Sequence, residues 1–482
     1  SVLPSIEPMT TNISFHNIPP LAGAFTFEES QRPGLSVEEC VKRLKCYHYI
    51  LKRSHQILNS RIPSEPIYEL KMAFSLHSHY CAEHVSTLRK RVGEMREPPL
   101  GLDKTPDEHL EILFDEILAA PSKEELLIGL YEVSFPFLKS SLKKHLDITN
   151  PLADHPSVRI IRFALIEIDE MISFGKSCLE AIPQKDKNHN ITSWVDLLNE
   201  CLNNVDGLTD KQVTTKTTIK RQYSERPYQY DGVPNRDERF PDPFNMGVNA
   251  EAFLYDESYP PETKSLMMFY KRLREIDVPE MMSSIIAETP GKPWEYYQDM
   301  TRQLWDEARH AMMGEVGFVS LGINWPKEVM INHTWSLALN TQLTPKERHA
   351  VLYFIEQGLM PKTGKKFEWE VGKESKNPLS ALFQDYDWAD EVLHAKIGRD
   401  WYVPYFDNPK DAIKYGDACW SKVLMDWNQY VSEGKTKHFN WWPGLYKAAC
   451  DAWGIEPNPE VLKFNSSYET IRADLKIISA SG

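Results

Sequence analysis

Apolar residues recur at spacings of three and four along most of the chain, and segments containing Pro or Gly interrupt them. This period is typical of helices that bury one apolar stripe. A Lys/Glu-rich run at 365–372 is compatible with a small hairpin on an otherwise all-α body. The predicted helices cover 36–60, 65–95, 105–119, 122–146, 156–181, 191–205, 262–288, 294–320, 326–340, 345–360, 378–402 and 409–434.

The predicted helices fall into two groups, so we expect two main domains in a chain of 482 residues. Residues 1–35 are rich in Pro, Gly and polar residues and predict an extended arm, and 36–205 predict an N-terminal helical bundle. Residues 206–261 combine a Thr/Lys run with a Pro-, Asp- and Tyr-rich stretch, which predicts an extended connector. A second bundle then spans 262–434, and 435–482 form an aromatic-rich tail.

Charge and cysteine usage exclude several classes of protein. The 55 Lys and Arg against 69 Asp and Glu give a net charge of -14, which opposes nucleic-acid binding. The seven Cys are scattered without CxxC spacing, so neither a disulfide framework nor a thiolate metal site is expected. No basic segment followed by an apolar run opens the chain, and no run of eighteen apolar residues occurs. We therefore expect a cytoplasmic protein that does not bind membranes.

The pattern Asp-Glu-x-x-His-Ala-x-x-Gly occurs twice, 84 residues apart, at 306–314 and 390–398. A Glu and a His three residues apart lie on the same side of a helix, so each copy offers one carboxylate and one imidazole to a metal. A single such pair is more often a surface salt bridge or a core histidine. Its repetition favours a site for two metal ions with four predicted ligands, namely Glu307, His310, Glu391 and His394.

A four-helix bundle completes such a site with one Glu from each of the other two helices. Glu356 is the candidate on one of them, because it lies in an apolar stretch where a charge needs a partner. Glu280 and Glu275 compete on the other helix. Glu280 shares its face with apolar residues and is favoured, whereas equal depth in a hairpin that turns at about 290–293 favours Glu275.

Residues next to the ligands have supporting roles in this prediction. Asp306 and Asp390 each precede a ligand Glu and are candidates to accept a hydrogen bond from a ligand imidazole, with Arg309 as an anchor. Gly314 and Gly398 leave room for close helix approach or for an opening toward the metals. Carboxylates with imidazoles suit Fe or Mn.

Other side chains near the ligands have less specific explanations. Tyr353, Trp305 and Trp388 lie within a turn of proposed ligands, where core packing is more common than a radical or electron-transfer role. His349, two turns before Glu356, is an alternative extra ligand.

Residues 262 to about 405 resemble the ferritin-like superfamily of non-haem di-iron carboxylate proteins. Asp306-Glu307-Ala308-Arg309-His310 is similar to the fingerprint of di-iron oxygenases and ribonucleotide reductase small subunits. The segments at 274–280, 354–359 and 390–394 look like those of a rubrerythrin-related, largely uncharacterised bacterial family. This resemblance implies a ferritin-like four-helix bundle and places the first-helix ligand at Glu280.

The N-terminal half resembles the same bundle more distantly. Residues 76–84 look like a first-helix segment, with Glu83 in the place of Glu280. No Glu-x-x-His pair follows at Glu132 or Glu167, so the resemblance implies a diverged copy without a di-iron centre. A mononuclear site there is an open alternative, with its ligands drawn from His77, His79 and Glu83.

The resemblance implies an oxidoreductase that holds two Fe ions, an Fe/Mn pair or two Mn ions. It would activate O2 to oxidise a small organic molecule and would need an external electron donor. The alternatives are rubrerythrin-like handling of peroxide or iron, and a binding or scaffold protein without catalysis. The sequence leaves a homodimer open.

Overall fold

The structure, a computed structural model, describes residues 16–97, 99–182, 189–208, 218–359 and 364–468. Throughout these ranges the backbone is helical or irregular, and the one β contact described is an isolated bridge between Val248 and Ser467. The predicted all-α class is confirmed. Most of the predicted arm, part of the connector and the end of the predicted tail lie outside the described residues.

Helices in the first half of the chain begin where the sequence supplies capping groups. Ser36 and Glu39 form a capping box, in which each backbone N–H donates to the other residue's side chain at 2.8 and 3.1 Å. A π-helical turn, Ile128–Ser134, joins two of these helices. The helices are α1 Phe27–Ser30, α2 Val37–Ser60, α3 Tyr68–Glu94, α4 Glu108–Leu118, α5 Lys123–Leu127, α6 Phe135–Ile148, α7 His155–Ala181 and α8 His189–Asn203.

Helices in the second half are more numerous and include several short ones. Thr344 and Glu347 form a capping box at the start of α15, and Pro345 occupies its first position. These helices are α9 Ala250–Tyr255, α10 Pro261–Leu273, α11 Asp277–Glu288, α12 Trp294–Ser320, α13 Trp325–Glu328, α14 Thr334–Gln342, α15 Pro345–Leu359, α16 Lys365–Glu374, α17 Pro378–Trp401, α18 Pro409–Lys422, α19 Trp427–Ser432, α20 Trp442–Trp453 and α21 Pro459–Leu462.

The chain divides into two compact units that do not coincide with its two halves. The first unit contains Ser1–Ile57 and Tyr80–Gln229, and the second contains Leu58–His79 and Tyr230–Gly482. The second unit therefore takes the end of α2 and the first part of α3 from the N-terminal half. This exchange has no counterpart in the domain boundaries expected from the sequence.

Four helical segments of the second unit pack against one another. The first consists of α10 followed by α11, and the other three are α12, α15 and α17. A 3-10 turn, Arg274–Ile276, joins α10 to α11. Helix α16 lies against α10 and α17, so the run at 365–372 is helical and the hairpin considered for it is wrong. Trp441 and Trp442 from the predicted tail are buried in the core of this unit.

Two glycines allow the helices of this bundle to approach closely. A Cβ atom on Gly314 of α12 would lie 2.4 Å from the carbonyl oxygen of Phe269 in α10. A Cβ atom on Gly398 of α17 would lie 2.5 Å from the ring of Tyr353 in α15. Two roles were considered for these glycines, close helix approach and an opening toward the metals. The structure places both at close helix contacts.

We expect Gly314→Ala to lower the free energy of unfolding of the chelator-treated protein by about 1–3 kcal/mol, because the added methyl group would overpack a contact with rigid backbone. Denaturant unfolding measures this change. Gly358→Ala is the matched control, since Gly358 lies in α15 with nothing within 4 Å of an added Cβ atom. Equal stability of the Gly314→Ala variant and the unmodified chain would contradict the close contact.

Candidate metal centre

Acidic and imidazole side chains from four helical segments converge inside the bundle of the second unit. One group contains Glu275, Glu307, His310 and Glu391, each offering one ligand atom within 4.8 Å of the others. A second group contains Glu307, Glu356, Glu391 and His394 within the same distance. Glu307 and Glu391 belong to both groups, so both would help to hold each of two cations bound here.

We call the place between Glu275 and His310 position 1 and the place between Glu356 and His394 position 2. Helices α12 and α17 each contribute one shared Glu and one His three residues later, as the helical spacing requires. The 3-10 turn contributes Glu275, and α15 contributes Glu356. The arrangement has the donor set of a dinuclear carboxylate site in a helical bundle.

Several ligand atoms in these groups are buried and lack a hydrogen bond. They are Glu275 Oε2, His310 Nδ1, Glu391 Oε2 and His394 Nδ1. His310 Nδ1 nevertheless lies 3.0 Å from Glu275 Oε2, and His394 Nδ1 lies 3.1 Å from Glu307 Oε1. Buried polar atoms normally have partners, so donor atoms that converge without hydrogen bonds fit a bound cation.

The other nitrogen of each imidazole is held by an aspartate from the opposite motif. His310 Nε2 lies 2.7 Å from Asp390, and His394 Nε2 lies 2.9 Å from Asp306. Arg309 donates to both aspartates, at 2.9 Å to Asp306 and 2.6 Å to Asp390. These contacts fix the orientation of both rings and direct each Nδ1 toward the carboxylates.

Crowding of buried acids shifts the pKa values of the candidate ligands. Burial, followed by the nearby Glu391 carboxylate, raises the pKa of Glu356 well above its usual value. Burial, with Asp387 and Glu307 adding to it, raises the pKa of Glu275 to about 7. Divalent cations at this place would compensate the repulsion between these acids.

The same carboxylates also raise the pKa values of the imidazoles, because negative charge favours the protonated, cationic ring. Burial lowers the pKa of His310, but Glu275 and Asp387 outweigh it and hold that pKa well above the ordinary value. The pKa of His394 is likewise raised well above its ordinary value, by Asp306 and Glu307 against burial. A metal ion that binds here must therefore displace protons.

The structure places Glu275, and not the favoured Glu280, beside the other predicted ligands. Glu280 belongs to neither ligand group and is fully buried against two cations. Lys71 donates to its Oε2, and Arg236 donates to its Oε1 at 2.5 Å. Both carboxylate oxygens are thereby engaged in ion pairs, so Glu280 is a structural residue in this arrangement.

Two features explain why Glu280 lies outside the ligand groups. Pro279 has no N–H, and its ring disfavours an α-helical carbonyl four residues earlier, at Glu275. The backbone there forms the 3-10 turn, so a face assigned on a continuous α-helix is misplaced. Lys71 and Arg236 also come from distant parts of the sequence, where no local signal marks them as partners of Glu280. A hairpin turn at about 290–293 was the reason to consider Glu275, and the structure has this turn, because α11 ends at Glu288 and α12 begins at Trp294.

Sequence reasoning missed several side chains beside the ligands. Asp387 lies one turn before Glu391 and is fully buried, with Oδ1 3.0 Å from His310 Nδ1. Lys365 donates to Asp387 Oδ2 at 2.6 Å, and Arg272 also pairs with that oxygen. Gln303 lies one turn before Glu307 and donates to Glu356. The sequence offered one signal for Asp387 and Gln303: each lies four residues before a predicted ligand Glu and therefore on the same face of its helix.

The remaining candidates in this unit pack as core residues. Tyr353 and His349 contact the ring of Tyr402, with centroids 5.1 and 5.4 Å away. Burial lowers the pKa of His349 to about 4, and this residue belongs to neither ligand group. Trp388 packs against Trp369, and Trp305 packs against the main apolar core.

The first unit contains one group of metal-binding residue types among the residues described. Cys40, His145 and Asp154 lie together and are buried. Thr149 donates to Asp154 at 2.6 Å, and His145 lies 3.1 Å from the same carboxylate. These groups have hydrogen-bond partners, which fits a structural polar network. Within the described chain, no ligand group contains the set His77, His79 and Glu83.

Comparison of the chain with protein-family models, curated proteins and solved structures finds no match. None of the helices described here combines the length and apolar character needed to span a membrane.

Substitution of the two competing glutamates distinguishes their roles. We expect Glu275→Gln to reduce the metal content of the Mn²⁺-loaded protein, measured by elemental analysis after desalting. Glu280→Gln should keep the metal but lower the free energy of unfolding by about 3 kcal/mol or more, because Lys71 and Arg236 would lose a buried counter-charge. Loss of metal in the Glu280→Gln variant alone would reverse this assignment.

Metal binding should depend on pH in a defined direction. Protons compete with the metal for carboxylates and imidazoles whose pKa values are raised, so affinity should fall as pH decreases through about 7. Mn²⁺ titrations by calorimetry at about pH 6 and about pH 8 should show weaker binding at the lower pH, with proton release. Equal affinity at both pH values would show that these groups do not bind the ion.

Proposed function

We propose that this chain is a non-haem oxidoreductase of the ferritin-like type, which uses two Fe ions or an Fe/Mn pair to activate O2 and oxidise a small organic molecule. The observation that carries the proposal is the pair of buried ligand groups that share Glu307 and Glu391. The resemblance of residues 262 to about 405 to di-iron carboxylate proteins supports the same assignment.

The donor set supports iron or manganese. Its members are four carboxylates and two imidazoles, and no cysteine belongs to either group. Carboxylate and imidazole donors suit these ions, whereas thiolates would favour zinc or an iron–sulfur cluster. Bound at this place, two such ions would supply the electrons and the open coordination positions that O2 chemistry needs.

The protein's own residues have two tasks in this proposal. Asp306 and Asp390 hold the imidazoles in one orientation, and Arg309 links the two aspartates across the site. The ligand side chains are buried or nearly so, which limits the access of water. Exclusion of water protects reactive oxidising species from side reactions.

A half-open cavity of about 270 Å³ lies in the same unit. Its lining includes His349 of α15 and Tyr402 just beyond α17. These residues lie about two helical turns, roughly 10–12 Å along the helix axes, from Glu356 and His394. Tyr353 lies in α15 between His349 and Glu356, and its ring packs against that of Tyr402. This geometry favours access of an organic substrate from the side of position 2.

Peroxide handling in the manner of rubrerythrins is the alternative. A rubredoxin-like electron-transfer module needs CxxC pairs, and this sequence contains none. The lack of CxxC pairs in this sequence therefore favours the oxygen-dependent reaction with a separate electron donor. Rapid peroxide consumption that does not depend on an organic substrate would favour the alternative.

The test is anaerobic loading of the full chain with Fe(II), followed by exposure to O2. We expect about two ions per chain and an optical change that depends on O2, because two ligand groups are present. The double variant Glu307→Ala and His310→Ala should lose both properties. Glu280→Gln is the control, since it removes a buried carboxylate outside the ligand groups.

Less than about one ion per chain, together with no O2-dependent optical change, would overturn the proposed function. Loss of the metal and of the optical change in Glu280→Gln as well would indicate a folding defect. Circular dichroism of each variant separates that outcome from a specific loss of metal.

A further inference from the structure

Asp387 is a fully buried carboxylate with one oxygen directed at a candidate ligand. Its Oδ2 accepts from Lys365 at 2.6 Å and also pairs with Arg272. Its Oδ1 lies 3.0 Å from His310 Nδ1, and neither of these atoms has a hydrogen bond. The two ion pairs use only Oδ2, so they do not explain the position of Oδ1.

The distances around His310 suit ligands of one ion. Two atoms bound at right angles through bonds of about 2.1 Å lie about 3.0 Å apart. His310 Nδ1 lies 3.0 Å from Glu275 Oε2 and 3.0 Å from Asp387 Oδ1. Asp387 is outside the four-residue group because its oxygen is not within 4.8 Å of all the other ligand atoms, although it lies as close to His310 Nδ1 as Glu275 does.

The repeated motif differs at the place that Asp387 occupies. Asp387 is four residues before Glu391, and Gln303 is four residues before Glu307. Gln303 is buried and donates its amide N–H to Glu356 at position 2. One copy of the motif therefore adds a carboxylate beside position 1, whereas the other adds a neutral amide beside position 2.

We propose that the two metal positions are unequal: Asp387 is a third terminal ligand at position 1, and position 2 keeps the open coordination sites. This inference rests on the proposed dinuclear function. Lys365 and Arg272 act as positioning residues, because they hold Oδ2 and leave Oδ1 to face the metal. The cavity lined by His349 and Tyr402 lies about two helical turns from Glu356 and His394, which are the terminal ligands at position 2.

Titration of the chelator-treated full chain with Mn²⁺, together with anomalous diffraction of loaded crystals, tests this inference. We expect Asp387→Asn to weaken the binding of one ion about tenfold or more. The anomalous peak between Glu275 and His310 should lose occupancy, and the peak between Glu356 and His394 should remain.

Glu368→Gln is the matched control. Glu368 belongs to the same buried ion cluster, with Lys271 and Arg272 as partners, but is not one of the residues that contact His310. This variant should retain both anomalous peaks at close to wild-type affinity. If Asp387→Asn fails to fold, the charge-balanced variant Asp387→Asn with Lys365→Met replaces it, and the same selective loss is expected.

Two outcomes would overturn the proposed difference between positions 1 and 2 while leaving the proposed function intact. One is unchanged binding of both ions by Asp387→Asn, and the other is an equal loss in Asp387→Asn and Glu368→Gln. Failure of the unmodified chain to bind any Mn²⁺ or Fe²⁺ would overturn the proposed function as well.

Azide, a small anion that binds at open metal positions, tests the second half of the proposal. Crystals of the loaded chain soaked in azide should show it on the ion between Glu356 and His394. Azide bound on the ion between Glu275 and His310 would overturn the assignment of the open position.

Discussion

Compensation of the repulsion among buried carboxylates is the constraint on which the candidate metal centre depends. Glu307, Glu356, Glu391 and Asp387 lie within a few ångströms of two imidazoles and are removed from water. Each buried charge costs several kcal/mol unless an opposite charge compensates it. Crossed aspartate–imidazole contacts, the cations around Asp387 and proton uptake each offset part of this cost. Cations bound at the two positions would offset the remainder.

The same rule gives two nearby glutamates different roles. Glu275 faces other acids, an imidazole and the guanidinium of Arg272 at 3.4 Å, but burial and the acids outweigh this cation and raise its pKa to about 7. Glu280 faces Lys71 and Arg236, and these cations outweigh the effect of burial and lower its pKa. The first is therefore suited to binding a cation, and the second is already neutralised by the protein. The groups that face each residue decide its role, rather than the burial that both share.

Periodicity was sufficient to predict the all-α class. The repeated motif was sufficient to select four candidate ligands that the structure brings together, namely Glu307, His310, Glu391 and His394. They suffice because these features depend on helical spacing, which is local. The position of Glu275 depends on a 3-10 turn beside Pro279. The partners of Glu280 depend on chain segments far away in sequence, and tertiary contacts of that kind leave no local pattern.

Lys71 and Glu280 are separated by 209 residues, although they form a buried ion pair within one unit. The segment Leu58–His79 that carries Lys71 is synthesised early, yet its counter-charge and most of its packing partners emerge from the ribosome much later. Contacts of such long range slow folding, because a large loop must close before they form. The second unit is thus assembled from two segments that are far apart in the sequence. Expression of the C-terminal half by itself would leave the carboxylate of Glu280 buried without its lysine.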